Sequence, residues 1–332
     1  MQSFRYCIIA VFSAAYALLL SSLNPVYFKD RANYYLYVEN IDSLLSDRLG
    51  PGFMFNEPLF LYLNEFLSVW FSPDFVISLY VFFIAFSSFF FVAYFSRNLI
   101  VCLLGIICLF FNPFAYSIQL GALRQGLCVA VLLWGVVASA SRYNLMLISV
   151  VLGFVHSSFF LIAGLFFIEW FAARMLDGSL IRRLGLQCIS AVVLSLFAFS
   201  LVKYFGLRQG DALSSAEGAG SGALFALFFL MALFLVFMLV AQRWDLKARE
   251  LIVFVLIGLI YYLAMYFLSA FAGRLIQTFI IPLVAVLVLR ANLINVIFLF
   301  GFALVSVFLF VNGGAASIMN CVYPISESII CG

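Results

Sequence analysis

The sequence predicts an all-α polytopic integral membrane protein with about ten to eleven transmembrane helices and one short interfacial or re-entrant helix. Three observations carry this. Of 332 residues, 67% are hydrophobic, and only 9% carry charge. A soluble domain carries about 25% charged and about 45–50% apolar residues. A bilayer core about 30 Å thick takes about 20 apolar residues per helix, and apolar runs near that length recur along the whole chain. Soluble enzymes, disordered chains and secreted disulfide scaffolds are excluded. Residues 1–332 read as a single transmembrane domain.

The apolar runs fall at 6–23, 75–95, 98–112, 114–139, 144–170, 184–203, 222–241, 250–270, 275–289 and 293–311. The first follows a single basic residue, Arg5, and lacks a small-residue cleavage site, so it reads as an uncleaved span. Pro58–Phe71 is shorter and holds Asn64 and Glu65, which makes it the interfacial or re-entrant helix. The loop at 24–57 is net acidic and rich in Tyr (Tyr27, Tyr34, Tyr35, Tyr37). Lys and Arg are depleted from translocated loops, so this loop and the tail at 312–332 are expected outside the cytoplasm. Cys321 and Cys331 lie in that tail, where a disulfide is plausible. The other five cysteines lie in apolar runs and read as small hydrophobes.

The basic clusters Arg97, Arg142, Arg174/Arg182/Arg183, Arg243/Lys247/Arg249 and Arg290 all ask for the cytoplasmic side. One full span between each pair of neighbours does not allow that. The run 144–170 has Arg142 and Arg174 on its two flanks. It reads as one long span, which puts one flank outside, or as a hairpin breaking near Gly153–Ser158 with His156 at its tip.

Ionisable groups inside spans are expensive, about 2.5–3.5 kcal/mol on insertion scales, and point to function. Arg124 lies about ten residues into 114–139, followed by Gln125 and flanked by Gly121 and Gly126. No carboxylate shares its run, so its partner comes from another helix, a loop or a ligand. It reads as an anion site or as one half of a packing ion pair. His156 is the only histidine. It reads as a general base or a hydrogen-bond donor to phosphate or sugar, or as a hydrogen-bonded core residue. Arg274 lies one span from Arg290, which places it outside, against the charge bias. Glu57 before Pro58 is a candidate acid or base, or a helix cap. Asp30, before Tyr34, is a sugar contact or a solvated loop charge. The net charge of +3 and the absence of a basic run exclude nucleic acid as a partner. No cysteine–histidine cluster suggests a metal, and no phosphate-binding glycine loop suggests a nucleotide cofactor.

Taken in order, Asp30 and Tyr34, Asn56-Glu57-Pro58-Leu59-Phe60, Leu123-Arg124-Gln125-Gly126-Leu127, Phe154-Val155-His156-Ser157-Ser158 and Gly273-Arg274 resemble the EpsG-like family. That family belongs with the Wzy-type O-antigen and exopolysaccharide polymerases of bacterial envelopes. Its more usual Arg-Gln-Xaa-Ala pattern is altered here at Leu127. The resemblance implies an inner-membrane glycosyltransferase with its active site at the periplasmic face. Such an enzyme transfers a glycan from undecaprenyl pyrophosphate onto a lipid-linked oligosaccharide repeat unit, in surface polysaccharide or lipopolysaccharide synthesis. His156, Arg124 and Glu57 would be catalytic. Arg274, Gln125, Asp30 and Tyr34 would bind pyrophosphate or sugar. No cofactor is implied. Membrane lipid, a chain-length regulator and the flippase of the same pathway are the expected partners. A lipid-glycan flippase and a membrane sugar O-acyltransferase are the alternatives.

Overall fold

A computed structural model describes residues 2–24, 27–28, 30–39, 57–138, 141–176, 180–205, 222–266 and 271–314. The Cys321–Cys331 pair and most of the 24–57 loop lie outside them. Fourteen α-helices occur among the described residues. They are α1 (Gln2–Ser21), α2 (Arg31–Glu39), α3 (Pro58–Ser68), α4 (Pro73–Phe95), α5 (Leu99–Phe111), α6 (Pro113–Leu120) and α7 (Leu123–Val137). There follow α8 (Arg142–Gly153), α9 (Ser158–Met175), α10 (Leu180–Phe205), α11 (Gly222–Ala241), α12 (Leu246–Met265), α13 (Phe271–Leu287) and α14 (Leu293–Leu309).

Seven helices are long and apolar enough to cross a membrane, and the bent pair α5–α6 makes an eighth candidate. The shorter apolar helices α7, α8 and α13 complete an all-α polytopic bundle. Its centre is α13, whose residues Ile276 and Leu283–Leu287 are fully buried, with α4 and α12 around it. The outward faces of α1, α10, α11 and α14 keep large apolar side chains exposed. That is the surface hydrocarbon requires.

Polar caps set the helix starts. Ser72 accepts from Phe75 N–H, Asn98 from Val101, Asp245 from Ala248 and Asn292 from Asn295. Each such cap contributes about 1 kcal/mol. Pro58, Pro73 and Pro113 occupy first turns, where the missing N–H costs nothing.

Two apolar runs are broken, one of them at the hairpin that the sequence left as an alternative. The first is 114–139, which divides into α6 and α7 at Gly121–Ala122. Arg124 therefore stands in the first turn of α7, beside a chain break, and not in mid-span. Asn112 and Pro113 bend α5 against α6 by 69°. The buried Gln119 amide satisfies the bend, donating to Leu109 O at 3.1 Å and Ala115 O at 3.0 Å. Arg31 Nε donates to Leu120 O at 2.9 Å and closes the end of α6. A glycine makes the α6–α7 turn possible. A Cβ on Gly126 would stand 2.4 Å from Ile118 O.

The second is 144–170, which is not a single span. The chain turns at Phe154–Ser157, and α8 and α9 pack antiparallel. Tyr143, at the start of α8, meets Trp170 near the end of α9 with ring centroids 6.3 Å apart. This hairpin resolves the charge conflict. Arg5 donates to Ser96 O at 2.6 Å, Arg97 to Leu289 O at 3.2 Å, and Lys247 to Val137 O at 2.9 Å. Arg142 pairs with Glu169 and Glu250, Arg183 pairs with Glu169, and Arg290 donates to Arg243 O. Every basic cluster expected on one side gathers at one end of the bundle. Arg124, His156 and Arg274 lie at the other.

Candidate active site

The opposite end gathers five chain segments. Two α2 tyrosines reach Arg124. Tyr34 Oη accepts from the Arg124 backbone N–H at 3.3 Å, and Tyr37 Oη accepts from its guanidinium at 3.3 Å. The guanidinium lies over the rings of Tyr37 and Phe60, 5.1 Å and 5.9 Å from their centroids. The start of α3 is tied to the hairpin tip by Leu59 N–H donating to Phe154 O at 3.0 Å. Gln125 ties α7 to α13, donating to Arg274 O at 2.6 Å and Thr278 Oγ1 at 2.8 Å.

Glu57 is the hub. It does not cap α3, as one reading of the sequence allowed, since its side chain makes no cap bond. Instead its backbone is left-handed, φ 59° and ψ 51°, the conformation non-glycine residues rarely adopt and functional sites often hold. That turn sends the carboxylate inward. Its Oε2 is ion-paired to Arg124. Its Oε1 accepts from His156 Nδ1 at 2.5 Å and from Ser157 N–H at 3.4 Å. The carboxylate partner that Arg124 required is thus supplied by a loop.

Glu57 and His156 both lie in turns outside the helices. Burial raises the Glu57 pKa, but the His156 hydrogen bond and the Arg124 charge outweigh it and hold the carboxyl below its usual range. Burial, helped by Arg124 and Arg274, pushes the His156 imidazole down against the opposing pull of Glu57. A neutral imidazole facing a carboxylate carries its proton on Nδ1. Nε2 is then left as the basic nitrogen.

A cleft of about 410 Å³ opens beside these groups. Such a volume suits a small-molecule site, about 300–1,000 Å³. Asp30, Tyr34, Arg124, Gln125, His156 and Arg274 all line it. Glu57 lies behind the wall, holding Arg124 and His156 from the rear. Asn33, Ser117 and Gln277 also line it and were not singled out from the sequence. Gln277 donates to Ser117 Oγ at 3.1 Å. These are ordinary polar residues near helix ends, and only proximity distinguishes them. Tyr37 belonged to the Tyr-rich loop but carried no signal of its own. Arg274 is exposed and has no carboxylate within ion-pair distance among the described residues.

The profile of the EpsG family matches residues 4–325. The chain belongs to the EpsG family. EpsG-family proteins are Wzy-type polysaccharide polymerase-like membrane proteins, which gives this chain a polysaccharide polymerase-like role in general terms. No curated protein and no solved structure matches it. Every motif that carried the resemblance lies within the match. Among the described residues no group of His, Cys, Asp and Glu side chains is arranged to hold a metal ion.

Proposed function

We propose that this EpsG-family chain is a polysaccharide polymerase that transfers a glycan from undecaprenyl pyrophosphate onto a lipid-linked oligosaccharide repeat. One observation carries the reading. A cleft joins two arginines to a histidine whose other nitrogen is held by a buried carboxylate. The acceptor hydroxyl oxygen forms the new bond to the donor's anomeric carbon, and the bond from that carbon to the pyrophosphate oxygen breaks. The hydroxyl proton passes to His156 Nε2. Glu57 takes no proton in this step; it is a positioning residue that fixes the tautomer and steadies the imidazolium. Negative charge grows on the departing pyrophosphate. Arg274, unpaired with any described carboxylate, and Arg124 meet it with donors already in place. Arg124 is fixed beforehand by Glu57, Tyr34 and Tyr37, so little reorganisation is spent during transfer. Gln125 is a positioning residue for Arg274. Asp30 and Tyr34 are assigned to sugar contacts.

Orientation follows from charge. The positive-inside rule supports a cytoplasmic basic end and, with it, a cleft at the periplasmic face of the inner membrane. There a lipid pyrophosphate supplies the energy of transfer, and nucleotides are absent.

The test is complementation of cells lacking the native gene, with matched membrane levels of the wild-type chain, Arg124→Ala and His156→Ala. The expected result is a glycan ladder with the wild type and single repeats with both variants. A full ladder with both variants rejects the site. A wild-type chain that adds acyl mass, or that governs only arrival of single repeats at the outer face, rejects the polymerase.

A further inference from the structure

At the basic end, far from the cleft, a cavity of about 580 Å³ separates the α8–α9 hairpin from α12. Its body is apolar, walled by Val136, Leu145, Leu165, Phe166, Phe254 and Ile257. Its mouth is charged, with Arg142, Lys247, Glu169 and Glu250. The acids are committed. Glu250 accepts from Arg142 Nε at 2.8 Å, and Glu169 faces Arg142 at 3.2 Å and also pairs with Arg183. Lys247 has no carboxylate within ion-pair distance among the described residues. Its ammonium donates to two neutral oxygens, Val137 O at 2.9 Å and Tyr94 Oη at 3.2 Å. An ammonium has three donors, so one remains. Counted with Arg183, three cations face two carboxylates.

We propose that this cavity binds an anionic phospholipid drawn from the leaflet at the basic end. The phosphate sits against Lys247 and Arg142, and one acyl chain fills the apolar body. The phosphate supplies the anion that Lys247 lacks. The acyl chain covers an apolar wall that a sugar or a free anion would leave unfilled. The site sits where basic residues meet anionic headgroups, a match contributing about 1 kcal/mol for each Lys or Arg. It is distinct from the cleft, although α8 and α9 flank it and carry His156 at their tip. It holds whether or not the transferase reading does.

The test uses the full-length chain, delipidated in neutral detergent. Native mass spectrometry and thermal melting follow binding of phosphatidylglycerol, phosphatidylcholine and inorganic phosphate. The wild type is expected to retain phosphatidylglycerol about fivefold to tenfold better than phosphatidylcholine, because both carry a phosphate but choline neutralises that of phosphatidylcholine, leaving only phosphatidylglycerol with a net negative charge for the unpaired Lys247. Lys247→Gln should erase the preference and Lys247→Arg should keep it. Leu165→Trp, which fills the cavity, should reduce retention of both lipids, and His156→Ala should change neither. Equal retention of the two lipids overturns the proposal. So does a preference that survives both Lys247→Gln and Leu165→Trp, or a thermal shift that inorganic phosphate alone reproduces.

Discussion

Replacing Glu57 by glutamine tests the site's internal logic at nearly constant volume. The carboxylate now serves two directions, Oε1 toward His156 and Ser157 and Oε2 toward Arg124. Glutamine has one acceptor oxygen for both. If it faces His156, the amide N–H₂ meets the Arg124 guanidinium, donor against donor. If it faces Arg124, the amide donates to Nδ1 and drives the imidazole proton onto Nε2, where the basic lone pair must be. Loss of a working general base costs about 10²–10⁴-fold in turnover. Breaking a buried pair costs about 3–5 kcal/mol, and partial solvent access reduces this toward about 1–3 kcal/mol here. The Arg124 side chain is 29% exposed, which sets that discount. The assay is polymerisation of purified lipid-linked repeat by reconstituted protein across pH. Turnover should fall at least about 100-fold with little change in KM. The acid limb should move to lower pH, because the imidazolium has lost its anionic partner. Turnover within about threefold of wild type, or an unmoved acid limb, refutes the tautomer argument.

Three further outcomes are expected. In the proposed transfer, activity requires neutral His156. Its lowered pKa places the acid limb below the ordinary histidine value of about 6.5, with a plateau above pH 7; a limb above that value contradicts the assignment. Gly126→Ala forces a methyl group to within 2.4 Å of Ile118 O and 2.7 Å of Ile84 Cδ1. It should cost about 1–3 kcal/mol and lower the melting temperature in detergent; an unchanged melt shows that the α6–α7 turn yields. Glu169→Gln leaves Arg142 and Arg183 crowded at the hairpin base. A loss of about 3–5 kcal/mol should appear in chemical denaturation; a loss under about 1 kcal/mol indicates a solvated cluster.

The candidate residues were legible because hydrocarbon makes polar groups conspicuous. Arg124 and His156 stand out in apolar runs, and Arg274 by breaking the charge bias of its side. Glu169 had the same signal, an acid inside the apolar run 144–170, and the structure gives it a structural task with Arg142 and Arg183. The roles were less legible than the residues. Arg124 read as either an anion site or half of an ion pair, and it is ion-paired to Glu57 while lining the cleft. Glu57 read as an acid or base, or as a cap; its side chain makes no cap bond, and its carboxylate meets His156 and Arg124 instead. Its left-handed backbone turns the side chain toward partners distant in sequence, and no local pattern records that turn.

Composition and apolar run length alone determined the all-α membrane class, because a bilayer leaves the backbone few alternatives. Basic residues fixed which loops share a side, without saying how the chain satisfies them. Whether 144–170 crosses once or turns back rested on packing. The energy of one helix against another decides that, and hydropathy is blind to it. Likewise only the tertiary structure broke 114–139 at Gly121, set Arg124 beside that break, and brought Asp30, Arg124, His156 and Arg274 around one cleft. Hydrophobicity is a property of each segment, whereas a site is a set of distances between segments.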